Sequence, residues 1–402
     1  MSRSALTIVL ALLTMVGPLG IDAYLPSFHA IGASLGASQL AVQQTLSFYM
    51  AGMSIMMLFY GTLSDSFGRR PVMLVSLLLF TVTSVLAALA TSIEMLVAVR
   101  VLQGLCGGAG LVIARAMVQD QFRGGDAQRM MAMITMVFGL APALAPVLGG
   151  WLQAAFGWRA VFWFLALFGA GMWAVSRSVL RETLPLEQRT PFNLRSISAN
   201  YLRSLRSPRF LLMAGGIAMV FSGLPLYVGS ASAYVMNILH QPETAFGWLF
   251  IPMVAGLMAG SATASRLAHR IPPDRMIRAG FAVMGLGVAS SLAYVSIFTP
   301  AVPYAVLPFM VYTFGLSLSS PSMMVMTLSV FPEMRGLAAS MQGFMQMLLF
   351  AFISGLVAPL VFGTAPGLAL THVAGLAIGI ALWEAGARFK APPPVAAASA
   401  KP

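Results

Sequence analysis

The sequence predicts an all-α membrane protein with twelve transmembrane helices in two six-helix bundles. Three observations predict it: a composition too apolar for a water-facing surface, twelve apolar runs of spanning length, and a charge bias between alternate links. Of 402 residues, 59% are hydrophobic and 8% charged, whereas a soluble domain carries about 25% charged residues. Most of the outer surface must therefore face lipid. A crossing needs about 20 apolar residues to span about 30 Å of hydrocarbon. Twelve crossings fit the length and leave one longer loop. A soluble enzyme, a nucleic-acid protein and a secreted disulfide scaffold are excluded. The single cysteine, Cys106, lies in an apolar run and reads as a small buried hydrophobe. His29, His240, His269 and His372 stand singly, so no metal site is expected.

The runs lie at about 5–28, 42–63, 71–91, 95–118, 130–153, 158–180, 210–236, 244–266, 276–298, 301–330, 336–362 and 367–389. The first has only Arg3 as a basic region and lacks a small-residue cleavage site, so it is read as a retained helix. With the N-terminus inside, cytoplasmic segments hold 20 of the 23 basic residues, outer links hold only Arg159, and Arg100 and Arg115 lie within the fourth run. That bias puts both termini in the cytoplasm. It also accounts for the net charge of +12 without nucleic acid as a partner. The resulting organisation is a bundle over 1–180, a cytoplasmic linker over 181–209, a second bundle over 210–390 and a disordered tail over 391–402. Within the linker, Asn193–Leu205 is expected to form a short helix on the anionic inner leaflet.

Several segments carry chemistry. GTLSDSFGRRP, residues 61–71, places Asp65 at a helix end. Gly61 is expected to allow close helix approach, Gly68 a tight turn, and Pro71 the next helix start. Arg69 and Arg70 add charge to the loop. In the fourth run, Arg100 shares a face with Gly104, Gly107 and Leu111, and Gly104 and Gly108 form a close-packing pair. A buried arginine marks a pathway or a charge partner; the alternative is an arginine that bonds carbonyls and locks the helix. Arg115 reads as a snorkelling side chain, and Asp120 is expected to pair with Arg70. In the fifth run Ala141, Ala145 and Gly149 recur every fourth residue, ahead of Gly150 and interleaved with Pro142 and Pro146. This gives a small packing face with a permitted bend.

Asp22, in GPLGIDAYLPSF, is the one acid placed well inside a helix, about six residues from its outer end. A carboxyl at that depth must be neutral or paired. It is read as a proton carrier, with a structural partnership to Arg100 as the alternative. The cavity candidates are Tyr24, Tyr49, Gln103, Tyr227, Tyr234, Gln342 and Gln346. The two helix-11 glutamines qualify because a lipid-facing amide is unfavourable. The 29 methionines read as packing.

These segments resemble a known family. Residues 61–71 resemble motif A of the major facilitator superfamily, the segment from RVLQG at 100–104 through CGGAG to RAMVQD at 115–120 motif B, and residues 139–150 motif C, the antiporter motif. Ala145 departs from motif C, where glycine precedes the proline. The six-plus-six layout is that of the major facilitator fold. Asp-x-Tyr-Leu-Pro in helix 1, RAMVQD at 115–120 and SASAYVMNIL…FGWLF at 230–250 narrow the resemblance to the Bcr/CflA drug-efflux group. The resemblance implies a multi-pass protein of the bacterial inner membrane, monomeric, that exports small amphipathic antimicrobials in exchange for protons. It implies no cofactor beyond the proton gradient. Motif B is implied to handle protons. The motif A acid is implied to brace the two halves, its partner here lying near Gly336 and Leu337. The competing reading is a proton symporter or facilitator for a small metabolite. The scarcity of fixed charge, Asp22 and Arg100 only, favours neutral or cationic cargo over a charged nutrient. No nucleophile–base pair or metal cluster points to a membrane enzyme.

Overall fold

A computed structural model describes residues 3–192, 194–268, 270–331 and 334–389. The expected tail at 391–402 lies outside the described residues. Among the described residues, eleven helices are long and apolar enough to cross a membrane, or twelve if one bent pair is a single span. In chain order, helix 1 is Leu6–Leu35 and helix 2 is the pair Gln39–Met57 and Tyr60–Phe67, bent by 49°. Helices 3 to 6 are Arg69–Ala88, Ile93–Gln121, Arg129–Phe156 and Trp158–Val179. Helices 7 to 9 are Pro208–Ile238, Glu243–Leu267 and Pro273–Ile297. Helices 10 to 12 are Leu307–Leu328, Gly336–Val361 and Ala365–Arg388. Leu6 and Arg388 fall on one face, called here the terminal face; the opposite one is the far face.

Packing follows the small-residue pattern. Apolar attraction between helices is weak in lipid, so close backbone approach must supply dispersion contacts. A Cβ on Gly104 would collide with the Tyr49 backbone, which presses helix 4 onto helix 2. A Cβ on Gly149 would collide with the Ala23 carbonyl, and Ala141 and Ala145 are fully buried, so the small face of helix 5 packs on helix 1. Helix 5 runs unbroken through Pro142 and Pro146. Large apolar side chains such as Leu167 and Leu360 stay exposed while Arg100 is fully buried. That inverts the soluble arrangement and suits a lipid surround.

Two expectations change. Helix 1 continues to Leu35, not to about residue 28, as a helix broken after Asp22, a short 3-10 turn Leu25–Ser27 and a second helix Phe28–Leu35. Pro26 explains the break: it has no N–H for the Asp22 carbonyl four residues back. Asp22 therefore lies near the middle of its span rather than six residues from the end. Gly61, expected to allow close approach, has no heavy atom within 4 Å of a built Cβ; it follows the bend in helix 2 without a close neighbour.

After helix 6 the chain crosses the terminal face to a linker helix, Leu194–Leu205. The Tyr201 hydroxyl donates to the Leu58 carbonyl at 2.6 Å, so this helix is fastened beneath helix 2. Burial pushes the Tyr201 phenol up to about 12.

Candidate transport site and gates

The N-terminal half is organised around Arg100. Its Nη2 donates to the Gly20 carbonyl at 2.7 Å and its Nη1 to Gln103 Oε1 at 2.5 Å. Gln103 Nε2 donates to Ser84 Oγ at 2.7 Å, which carries the network to helix 3. The guanidinium lies 4.2 Å from the Tyr24 ring centroid and 4.1 Å from that of Tyr49. Each cation–π contact contributes about 0.5–2 kcal/mol, more when desolvated. Tyr49 donates to the Gly17 carbonyl at 3.1 Å, and the Tyr24 and Thr45 hydroxyls meet at 3.2 Å. Tyr24, Tyr49 and Gln103 are each fully buried. They form a cage around Arg100, not the open cavity wall expected of them.

Asp22 is 4% exposed and makes no hydrogen bond or ion pair among the described residues. Arg100 reaches the backbone of Gly20, two residues away, instead of this carboxyl. Arg100 thus fixes the last turn before the break, and Asp22 stands free at its end.

The terminal face carries an ionic cluster built by the 61–71 segment. Arg69 pairs with Asp65 and, at 3.0 Å, with Asp120, and donates to Ser64 Oγ at 2.7 Å. Asp120 therefore meets Arg69 and not the expected Arg70; the Arg70 guanidinium donates to the Arg177 carbonyl at 2.7 Å. Asp65 was expected to meet the start of helix 11 near Gly336 and Leu337. Among the described residues its ion pair is within its own loop, and its carbonyl accepts from Thr190 of the linker at 3.2 Å. The cause is proximity: Arg69 follows Asp65 by four residues, across the turn at Gly68.

Glu182 holds this cluster together, and the sequence reading missed it. Its carboxylate accepts from the backbone N–H groups of Arg69 at 3.0 Å and Arg70 at 3.2 Å, capping helix 3 from 113 residues away. Anions at helix N-termini are favoured by the free N–H groups there. Gly68 has φ +99°, and a Cβ there would collide with Glu182 and Arg189, so the turn requires glycine as expected. Thr183 adds a bond to Asp120 at 2.7 Å.

At the far face helix 2 is fastened to helix 11. Gln43 Nε2 donates to the Ser354 carbonyl and Gln44 Nε2 to the Gly355 carbonyl, each at 2.8 Å; the Ser47 and Ser354 hydroxyls meet at 3.1 Å. Ser354 and Gly355 lie in a π-helical stretch, Ile353–Val357, where a changed backbone ladder presents carbonyls to a partner. Gly150 packs on the Glu243 backbone, joining helix 5 to helix 8 at the same end. The far face is therefore closed between the halves. The signal for the glutamine pair was present, since an amide in an apolar helix needs a partner. That logic singled out Gln342 and Gln346 instead. Gln342 is buried with Oε1 unpartnered among the described residues, and Gln346 is half-buried. Tyr227 and Tyr234 are buried in the C-terminal half, Tyr227 stacked on Phe309 with centroids 3.8 Å apart.

Residues 10–355 match the profile of the Major Facilitator Superfamily. The chain belongs to this family. It is 32% identical over 279 residues to a bicyclomycin resistance protein homolog of Haemophilus influenzae, covering 69% of this chain and 70% of that one. It is 30% identical over 357 residues, 88% of each chain, to the uncharacterized MFS-type transporter YdgK of Bacillus subtilis. The multidrug resistance protein MdtL of Escherichia coli is 30% identical over 227 residues, 56% of this chain and 57% of that one. A D-xylose–proton symporter shares the fold with a TM-score of 0.71 at 16% identity, covering 96% of this chain and 98% of that one. This superfamily member is thus a multi-pass membrane transporter.

Proposed function

We propose that the chain is a proton-coupled antiporter that exports small amphipathic antimicrobials by alternating access. The observation that carries this reading is Asp22: a buried carboxyl with no hydrogen-bond or ion-pair partner among the described residues, at the break of helix 1, two residues from a backbone fixed by Arg100. A carboxyl so placed exchanges a proton or meets a cation; nothing structural consumes its charge. The resistance named for the Haemophilus and Escherichia relatives supports drugs as the cargo.

In this reading the terminal face is cytoplasmic, both termini lie on the cytoplasmic side of the bacterial inner membrane, and one chain works as a monomer. Protonated Asp22 is neutral and releases a cationic or polar drug; ionised Asp22 attracts it. Drug and proton then exclude one another, and by linkage each weakens the other equally. An inward proton gradient drives the drug out. The Gln43–Gln44 contact acts as the far gate, and the Arg69 cluster braces the terminal end of the N-terminal half. Buried Gln342 and half-buried Gln346 on helix 11 belong to the drug path. The protein supplies no reactive cofactor.

The test is accumulation of a panel of cationic and neutral antimicrobials in cells with and without the protein, each with and without an uncoupler. Lower accumulation that the uncoupler abolishes is expected. Uncoupler-insensitive uptake of a metabolite would instead favour a facilitator.

A further inference from the structure

The C-terminal half contains a protonatable side chain, His372, apart from Asp22 and the two networks at the faces. His372 lies seven residues into helix 12 from the far end, about 10 Å by helical rise. Its Nε2 is 3.3 Å from the Gly223 carbonyl of helix 7, so Nε2–H donates. Its ring stacks on Phe309 and Tyr312, with centroids 5.4 and 6.2 Å away. Nδ1 has no hydrogen-bond partner among the described residues. A cavity of about 30 Å³ adjoins the ring, lined also by Ser230 and Ser291. That is room for about two waters at most, too little for a drug and enough to carry a proton.

The arrangement parallels the other half. There Arg100 holds the Gly20 carbonyl of helix 1; here His372 holds a carbonyl of helix 7, the counterpart of helix 1 in the six-plus-six layout. Gly223 follows directly on the break in helix 7 at Phe221–Ser222. Arginine is charged at every pH, whereas histidine can gain a proton on Nδ1 while its Nε2–H keeps the carbonyl.

We propose that His372 is a second proton-binding site, and that its protonation favours opening of the far face, which lets solvent reach the charged ring. The groups facing the ring decide the sign. They are the phenols of Tyr227 and Tyr234 from helix 7 and Tyr312 from helix 10; the lining residues of helices 9 and 12 add no carboxylate and no other cation. An imidazolium in the closed state therefore gains a second N–H with only a water-sized gap to receive it. Separation of the far ends admits solvent to Nδ1 and favours the charged form. By linkage, protons then favour the far-open state. This rests on the proton-driven reading for its use, but its test needs no drug.

The experiment uses the full chain in lipid nanodiscs. Spin labels on the far ends of helices 2 and 11 report opening at pH 7.5 and 5.5, in wild type, Asp22→Asn and His372→Gln. The expected result is an open-to-closed ratio that rises about tenfold on acidification in wild type, persists in Asp22→Asn, and is lost in His372→Gln. An undiminished rise in His372→Gln overturns the proposal, as does its complete loss in Asp22→Asn alone. A second measurement guards against misfolding of the variant. His29, His240 and His269 are replaced by glutamine, leaving His372 as the only histidine, and its ring carbons are followed by NMR. A ring that titrates between pH 8 and 5 supports the site; one that stays neutral throughout overturns it. Neither outcome bears on whether the chain exports drugs, which the accumulation assay decides separately.

Discussion

Replacing Gln43 and Gln44 together by leucine should open the far face. Each amide donates one 2.8 Å hydrogen bond to a carbonyl of the π-helical stretch in helix 11. A neutral hydrogen bond contributes a net of about 1 kcal/mol, so the pair supplies about 2 kcal/mol. Every 1.4 kcal/mol is a factor of ten, which gives about a 30-fold shift in the ratio of open to closed. The true value should not fall below this. The closed state of the variant buries the Ser354 and Gly355 carbonyls against leucine, whereas the open state lets water reach them. Leu40 and Leu356 are exposed on helices 2 and 11 near this end and suit spin labels in a Cys106→Ser background. The expected result is a second, longer distance whose share rises by about that factor, with insertion and yield unchanged. An identical distance distribution in variant and wild type would refute the latch and leave Gly150 against Glu243 as the contact that closes this face.

Other consequences follow from the same geometry. Arg100→Lys keeps the charge but loses both the planar stacking between Tyr24 and Tyr49 and the fork that reaches Gly20 and Gln103 at once; thermal unfolding should show a loss of about 2 kcal/mol or more, with transport falling in parallel. Glu182→Gln removes the anion at the start of helix 3 while keeping an acceptor; transport should drop by a few-fold, as expected for about 1 kcal/mol of cap energy, and an unchanged rate would make the linker contact incidental. Reporter fusions after residues 192 and 395 should both read cytoplasmic; a periplasmic signal at either would overturn the orientation.

The twelve runs and the long central link were legible because lipid imposes one requirement, about 20 apolar residues per crossing, on every helix. The turn at Gly68 and the packing face at Ala141, Ala145 and Gly149 were legible because each is a local property of residue type and spacing. Partners across the chain were not. Glu182 caps helix 3 from 113 residues away, and no pattern near it names that target. Asp65 and Asp120 both converge on Arg69 because the ends of helices 2, 3 and 4 meet there in space. The aromatic residues at 24 and 49 looked suited to a cavity, yet a buried guanidinium claims both faces. Asp22 was found by its charge, but its depth depended on reading Pro26 as a break within helix 1 and not as its end.

The most direct test of the account is proton release from purified protein on addition of a cationic drug, in weakly buffered detergent solution, for wild type and Asp22→Asn. If Asp22 carries the proton, wild type should release protons on binding, and its drug affinity should fall as pH drops. Asp22→Asn, a mimic of the neutral carboxyl, should release none attributable to this site and bind with little dependence on pH over the same range. Equal proton release and an unchanged pH profile in Asp22→Asn would contradict the assignment of Asp22 as the coupling carboxylate.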